Sequence, residues 1–220
     1  LQMKPDTILA TNTSSIPLQD ISQVLQQPER LVGIHFFNPV AKMPLVEIVR
    51  HDGTDPELVK RAAAFVTKIS RFPVVVASSP GFLVNRVLMP YLMEAMLLLE
   101  EGQSAQAIDN AAINFGMPMG PVHLADTVGL DVCLSVAKNL MEQFGGQVPQ
   151  RLVDMVERGN LGAKTGKGFY EYKSGKKVDS VSSVATVQTD LTDRLILRML
   201  NEAVACLQER VIEDVDLLDA

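Results

Sequence analysis

Cysteine is scarce in this 220-residue sequence: only Cys133 and Cys206 occur, far apart in the chain. There is no CxxC word and no nearby histidine pair. Neither a disulfide framework nor a metal site is therefore indicated, and the usage fits a reducing, cytoplasmic setting. Clusters of lysine and arginine are also missing, and the net charge of −6 argues against a nucleic-acid-binding surface. No apolar run is clean enough for a membrane span, because Asn85, Arg86 and Glu94 interrupt the greasiest stretch, 82–99. No secretory signal is visible. The chain opens on Leu1 and stops at Ala220 inside a helical pattern, which reads as an excerpt of something longer.

What is present is an ordinary globular composition, 47% apolar and 21% charged, with length enough for one large or two small cores. Its central stretch runs from Leu31 to Arg50. Two short apolar runs, Leu31–Phe37 and Leu45–Val49, read as buried strands, and Pro39 and Pro44 bound the loop between them. Antiparallel pairing about Ala41 sets His35 opposite Glu47, close enough for their side chains to meet. A carboxylate there would hold one imidazole nitrogen and leave the other to take a proton, which is half of a general-base site. A histidine in an apolar strand is equally at home as a core residue bonded to a backbone carbonyl.

The rest of residues 1–80 has a strand–turn–helix rhythm. Thr7–Thr11 is a short strand ending in the polar run Thr11–Ser15, a place where open α/β sheets bind ligands, or simply a loop capping the helix expected over Leu18–Leu25. Glu57–Ser70 is an amphipathic helix with Leu58, Ala62, Phe65, Val66 and Ile69 on one stripe. Phe72–Ala77 is a strand, and Ser78–Gly81 a joint after which the helical period dominates. Helices are expected over Phe82–Glu101, kinked at Pro90, then over Ala105–Phe115 with Ser104 as cap, Val122–Phe144, Val148–Arg158 and Asp190–Arg210 with Thr192 as a candidate cap. The glycine-rich stretch Leu161–Tyr172 lacks the spacing of a phosphate loop and leads into a strand-like segment, so its plain reading is a surface loop.

Six words in register, Asn12-Thr-Ser-Ser15, His35-Phe-Phe-Asn-Pro39, Pro44-Leu-Val-Glu47, Pro80-Gly-Phe-Leu-Val-Asn-Arg86, Pro118-Met-Gly-Pro121 and Thr165-Gly-Lys-Gly-Phe-Tyr170, resemble the L-3-hydroxyacyl-CoA dehydrogenase family. The resemblance covers residues 1–172 and is strongest to dehydrogenase regions of bacterial multifunctional fatty-acid oxidation α-subunits. It implies an α/β then all-α fold: the C-terminal portion of a Rossmann-type NAD-binding domain (1–79) followed by a helical domain (80–173). It implies NAD-dependent oxidation of the 3-hydroxyl of a fatty acyl-CoA. His35 is the implied base and Glu47 its orienting carboxylate. Ser14 and Asn85 are the implied substrate-oxygen ligands, and Ser14 and Asn38 lie near the cofactor. Acyl-CoA is the implied substrate, with a thiolase β-subunit and a homodimer as candidate partners. A 3-hydroxybutyryl-CoA or crystallin-like reductase, and a non-enzymatic helical module, are the competing readings. No GxGxxG turn occurs anywhere in the sequence, so the chain is expected to lack most of the dinucleotide site and to be inactive alone.

Residues 174–189 read as a linker, and 190–220 as the truncated start of a second copy of the helical unit. A constant offset of 108 positions aligns Arg86 with Arg194, Glu94-Ala95 with Glu202-Ala203 and Glu101 with Glu209. A one-residue slip then matches Ile108-Asp109 to Val215-Asp216. Helical period alone explains the apolar matches between them but not the charged ones.

Overall fold

The computed structural model describes residues 4, 7–14, 16–178 and 189–219. The chain divides into two compact units, one of Leu1–Val84 with Ala203–Ala220 and one of Asn85–Glu202.

The first unit is built on a mixed sheet in the order β1 (Leu9–Thr11), β2 (Leu31–Phe36), β3 (Leu45–Arg50), β4 (Phe72–Ala77). β1 and β2 are parallel, β2 and β3 antiparallel, and β3 and β4 parallel. The pleat sends alternate residues to opposite faces. Val32, Ile34, Val46 and Ile48 form one face, buried with Leu58, Val59, Ala62 and Val66 of α2 (Pro56–Lys68). Asp55 caps this helix by accepting the Glu57 N–H at 2.9 Å, with Pro56 in its first turn. The expected stripe is only partly right, since Phe65 and Ile69 are exposed and Val59 takes a core place. Gly33, His35, Glu47 and Val49 alternate with the α2-facing set. A Cβ on Gly33 would lie 2.8 Å from Val49 Cβ, so the close approach of these strands requires glycine there. α1 (Leu18–Ser22) is shorter than expected and takes no cap from the polar run before it; the Leu18 N–H instead donates to Ser78 Oγ at 3.2 Å.

The second unit is helical. α3 (Val84–Glu100) contains Pro90, which has no N–H to offer the Arg86 carbonyl. α4 (Ala105–Phe115) starts from Ser104, whose Oγ accepts the Ala107 N–H. The single helix expected over Val122–Phe144 is two, α5 (Pro121–Val128) and α6 (Leu130–Phe144), divided at Gly129 with φ of +107°. α7 (Gln150–Glu157) follows. One apolar core joins Leu92, Met96, Ile108, Val122, Leu130, Leu152 and Leu195.

Two buried aspartates tie these helices to the glycine-rich stretch. Asp109 on α4 accepts the Val122 and His123 N–H groups at the start of α5, together with the Tyr170 hydroxyl. Asp126 on α5 accepts the Phe169 and Tyr170 N–H groups and the Tyr172 hydroxyl. Burial pushes both carboxyls above their ordinary range, and these donors oppose it. Cβ atoms on Gly120 and Gly168 would overlap Asp109 and Asp126 respectively, which is why glycine recurs there. The stretch is therefore a latch rather than a free surface loop. It ends in a hairpin of β5 (Tyr172–Lys173) and β6 (Lys176–Lys177). Most of the expected 174–189 linker (179–188) lies outside the described residues, while residues 174–177 belong to this hairpin and Thr189 to the next helix.

That helix, α8 (Thr189–Gln208), packs Leu191, Leu195 and Ile196 into the helical core. Thr192 is inside it rather than capping it, and its hydroxyl donates to the Ala111 carbonyl. Arg86 pairs with Glu202 at 2.6 Å, and Arg194 pairs with Glu94 at 2.6 Å. The same two residue types, 108 positions apart, exchange partners. The ends of α3 and α8 also coincide in bonding. Glu101 N–H to Leu97 O, Gly102 N–H to Leu99 O and Gln103 N–H to Leu98 O recur as Glu209 to Ala205, Arg210 to Leu207 and Val211 to Cys206. Beyond that point the alignment shifts the other way from expectation. Ser104 caps α4 and Asp214 caps α9 (Val215–Leu218), which puts Leu218 rather than Val215 at the Ile108 place.

The Tyr91 hydroxyl is the one buried side-chain polar atom among the described residues without a hydrogen-bond partner, and burial followed by the nearby Asp109 charge raises its pKa. An unsatisfied buried hydroxyl costs about 1–3 kcal/mol. Tyr91→Phe is expected to leave the unfolding free energy unchanged or raise it by up to ~1 kcal/mol, read from urea denaturation; a loss above ~1 kcal/mol would show that the hydroxyl has a partner after all.

Candidate active site

Strand register brings the central pair together. β2 and β3 place His35 directly opposite Glu47, as the pairing about Ala41 requires. Glu47 is fully buried and His35 is 6% exposed, with His35 Nδ1 2.6 Å from Glu47 Oε2. A carboxylate without further donors would be costly at this depth. The other oxygen, Oε1, accepts two backbone N–H groups, from Leu83 and Val84, each at 2.9 Å. These amides belong to the entry of α3, where unsatisfied N–H groups and the helix dipole favour an anion. Glu47 is thus held as the acceptor on both sides. With Nδ1–H committed to Oε2, the imidazole lone pair is left on Nε2, which has no hydrogen-bond partner among the described residues.

Two phenylalanines wall the ring. Phe37 lies edge-on at 4.6 Å between centroids and Phe82 at 5.5 Å. The alternative of a core histidine bonded to a backbone carbonyl is realised elsewhere, at His51, whose Nε2 donates to the Pro28 carbonyl at 3.0 Å while Nδ1 accepts the Gly53 N–H.

Because β1 and β2 are parallel, the residues following them emerge at the same end of the sheet. Ser14 and Asn38 are both exposed there. Asn12, which sequence reasoning passed over, accepts the Phe36 N–H at 3.0 Å on Oδ1 and so ties the end of β1 to the end of β2. Exposed hydroxyl and amide groups there lie beyond the carboxyl ends of strands, where open α/β sheets bind their ligands. Phosphate-cradling amides are a different matter: in the glycine-rich stretch those of Phe169 and Tyr170 are spent on Asp126, and those of Gly162, Gly166 and Gly168 on backbone carbonyls. Asn85 is half-buried near the start of α3 and is the first residue of the second unit, whereas Ser14, His35, Asn38 and Glu47 belong to the first.

The Asp109–Asp126–Tyr170–Tyr172 cluster has the residue types of a catalytic centre. Every one of its carboxylate oxygens, however, already accepts a hydrogen bond from the unit's own amides or phenols. Cys133 is buried, which pushes its thiol up to about 12, so it is no nucleophile. Among the described residues no three His, Cys, Asp or Glu side chains converge as metal ligands do. No helix among them is long and apolar enough to cross a membrane.

Comparison with known proteins extends this geometry. Residues 1–79 match the family model for the 3-hydroxyacyl-CoA dehydrogenase NAD binding domain, and residues 81–172 match that for the 3-hydroxyacyl-CoA dehydrogenase C-terminal domain. The fatty acid oxidation complex subunit alpha of Vibrio campbellii is 41% identical over 221 residues, covering 95% of this chain but 31% of the relative. The chain thus spans less than a third of that relative's length. Among solved structures, 3-hydroxybutyryl-CoA dehydrogenase from Escherichia coli matches at a TM-score of 0.75 with 36% identity, over 85% of this chain and 40% of that one. The dehydrogenase part of multifunctional enzyme 1 from C. elegans matches at 0.67 with 32% identity, over 98% of this chain and 53% of that one. With both halves of the family's domain pair matched in order along its length, the chain belongs to the 3-hydroxyacyl-CoA dehydrogenase family of NAD-dependent oxidoreductases.

Proposed function

We propose that the protein to which this chain belongs oxidises L-3-hydroxyacyl-CoA to 3-ketoacyl-CoA in fatty-acid oxidation, with His35 as the base. The observation that carries this reading is the buried His35–Glu47 pair, with Nδ1 committed and Nε2 left without a partner. Glu47 fixes the ring and its tautomer, and Nε2 takes the hydroxyl proton. Ser14 and Asn85 orient the substrate oxygen, and Ser14 and Asn38 hold the nicotinamide side of the cofactor. NAD, when bound, supplies the hydride acceptor. A thiolase β-subunit is the partner that suits a relative named as the alpha subunit of a complex. Two buried cysteines outside any disulfide accord with a reducing cytoplasm. The likeness to a 3-hydroxybutyryl-CoA dehydrogenase favours short chains as the second reading, and acyl-chain preference in the intact protein separates the two.

We also propose that 190–220 begins a second helical unit after the domains 1–79 and 80–173. Exchanged Arg–Glu partners and the repeated helix ending support this. So does a contrast in burial. Met89, Leu92 and Met96 are at most 4% exposed on α3, whereas their counterparts Leu197, Leu200 and Val204 are 54%, 47% and 50% exposed on α8. Further helices of the second unit, packed as α4–α6 are in the first, would cover that face.

In the intact protein, His35→Gln should lower kcat at least ~10²-fold, with Glu47→Gln equal or milder. Turnover at the wild-type rate in His35→Gln removes the assignment. Titrated with NADH, the 220-residue chain should show no micromolar complex, since it contains no glycine-rich dinucleotide turn; a micromolar Kd by calorimetry contradicts this. Leu197→Lys with Leu200→Lys should leave this chain's stability nearly unchanged but destabilise the intact protein by at least ~2 kcal/mol, because there the charges would be buried. Equal denaturation midpoints for the mutant and wild-type intact proteins would refute the second unit.

A further inference from the structure

Phe82 has a backbone φ of +52°, in the left-handed region that bulky side chains rarely occupy. Glycine would sit there without strain, as Gly81 does next to it at φ of +74°. Strain of this kind persists where surrounding structure imposes it, and it gathers at functional sites. Three features surround it here. The ring is 2% exposed and lies edge-on to His35. The Phe82 N–H donates to the Ser79 carbonyl at 2.9 Å, which closes the turn. The next two N–H groups, of Leu83 and Val84, are the pair that Glu47 Oε1 accepts.

Resting on the dehydrogenase reading above, we infer that Phe82 is a positioning residue for the His35–Glu47 pair. Its left-handed backbone turns two successive amides onto Glu47, and its buried ring packs edge-on against the imidazole and limits solvent exchange at Nδ1. One residue thereby acts on both ends of the pair, on the carboxylate through the main chain and on the base through the side chain. A glycine would do the first without the second. A β-branched residue, strongly disfavoured at positive φ, would disturb the first. Phe37 walls the same ring but lies at the strand end and delivers no amide to Glu47, so it cannot replace Phe82 in both parts.

The test uses Phe82→Gly, Phe82→Leu and Phe82→Val, with two readouts. The first is water exchange of the His35 Nδ1 proton, followed by proton NMR in this chain. The second is kcat and KM in the intact protein. Phe82→Gly should speed that exchange at least ~10-fold and lower kcat ~10-fold or more with KM little changed, the scale of a slightly misplaced catalytic group. Phe82→Leu, which keeps most of the buried volume, should recover most of both, and Phe82→Val should not. An Nδ1 proton as protected in Phe82→Gly as in the wild type, or kcat unchanged in Phe82→Gly, overturns the inference. If Phe82→Gly fails to fold, equal behaviour of Phe82→Leu and Phe82→Val overturns it instead. Exchange that responds as expected in a protein whose wild type oxidises no hydroxyacyl-CoA would reject the dehydrogenase reading and keep the positioning.

Discussion

A single buried carboxylate organises the first unit. Glu47 lies in the middle of a strand with no access to water, so its charge is sustainable only because every direction it faces supplies a proton donor. Removing any of those donors would leave part of a charge exposed to apolar surroundings. The requirement works in both directions: the carboxylate aligns the imidazole, and it also dictates how the chain must enter α3. The turn after β4 and the pairing of β2 with β3 both meet at that one group.

The helical unit repeats the principle with a different purpose. Asp109 and Asp126 are likewise buried carboxyls, and all their oxygens already accept hydrogen bonds from amides and phenols of their own unit. Their function is closure: an α4 side chain secures the start of α5, and an α5 side chain secures the return of the chain after α7. What separates the latch from the candidate active site is one unclaimed nitrogen. His35 has one; the aspartate cluster does not.

Much of this was legible in the residues. The register of His35 against Glu47 followed from two apolar runs and two prolines, because a strand pair about a fixed centre leaves no freedom. The Arg and Glu-Ala repeat at 108 positions was visible as identity rather than period. What escaped has physical reasons. A buried Glu announces that it needs donors but not which backbone will supply them, so Leu83 and Val84 could not be named. Gly129 broke a helix whose apolar period ran through it, since a glycine can also sit inside a helix at modest cost. Phe65 and Ile69 fit the expected α2 stripe, but the face that packs on the sheet is Leu58, Val59, Ala62 and Val66, turned round the helix from the expected one. Asp109 and Asp126 could not be recognised as buried anchors, because nothing in their neighbours along the chain shows that Tyr170 and Tyr172 will return to them. Ser14, Asn38 and Asn85 were named by family likeness alone, and the fold places the first two at one end of the sheet.

The matching ends of α3 and α8 have a use of their own. Both helices stop with the same three backbone bonds around a left-handed residue, yet one uses Gly102 at φ of +92° and the other Arg210 at φ of +58°. At Gly102 a side chain would meet nothing within 4 Å, so space is not what selects glycine there. The molecule therefore contains its own host–guest pair: one cap geometry, two residues, one solvent. Any difference in fraying between the two helix ends, measured by amide exchange on a single sample, compares torsional strain without needing a second protein.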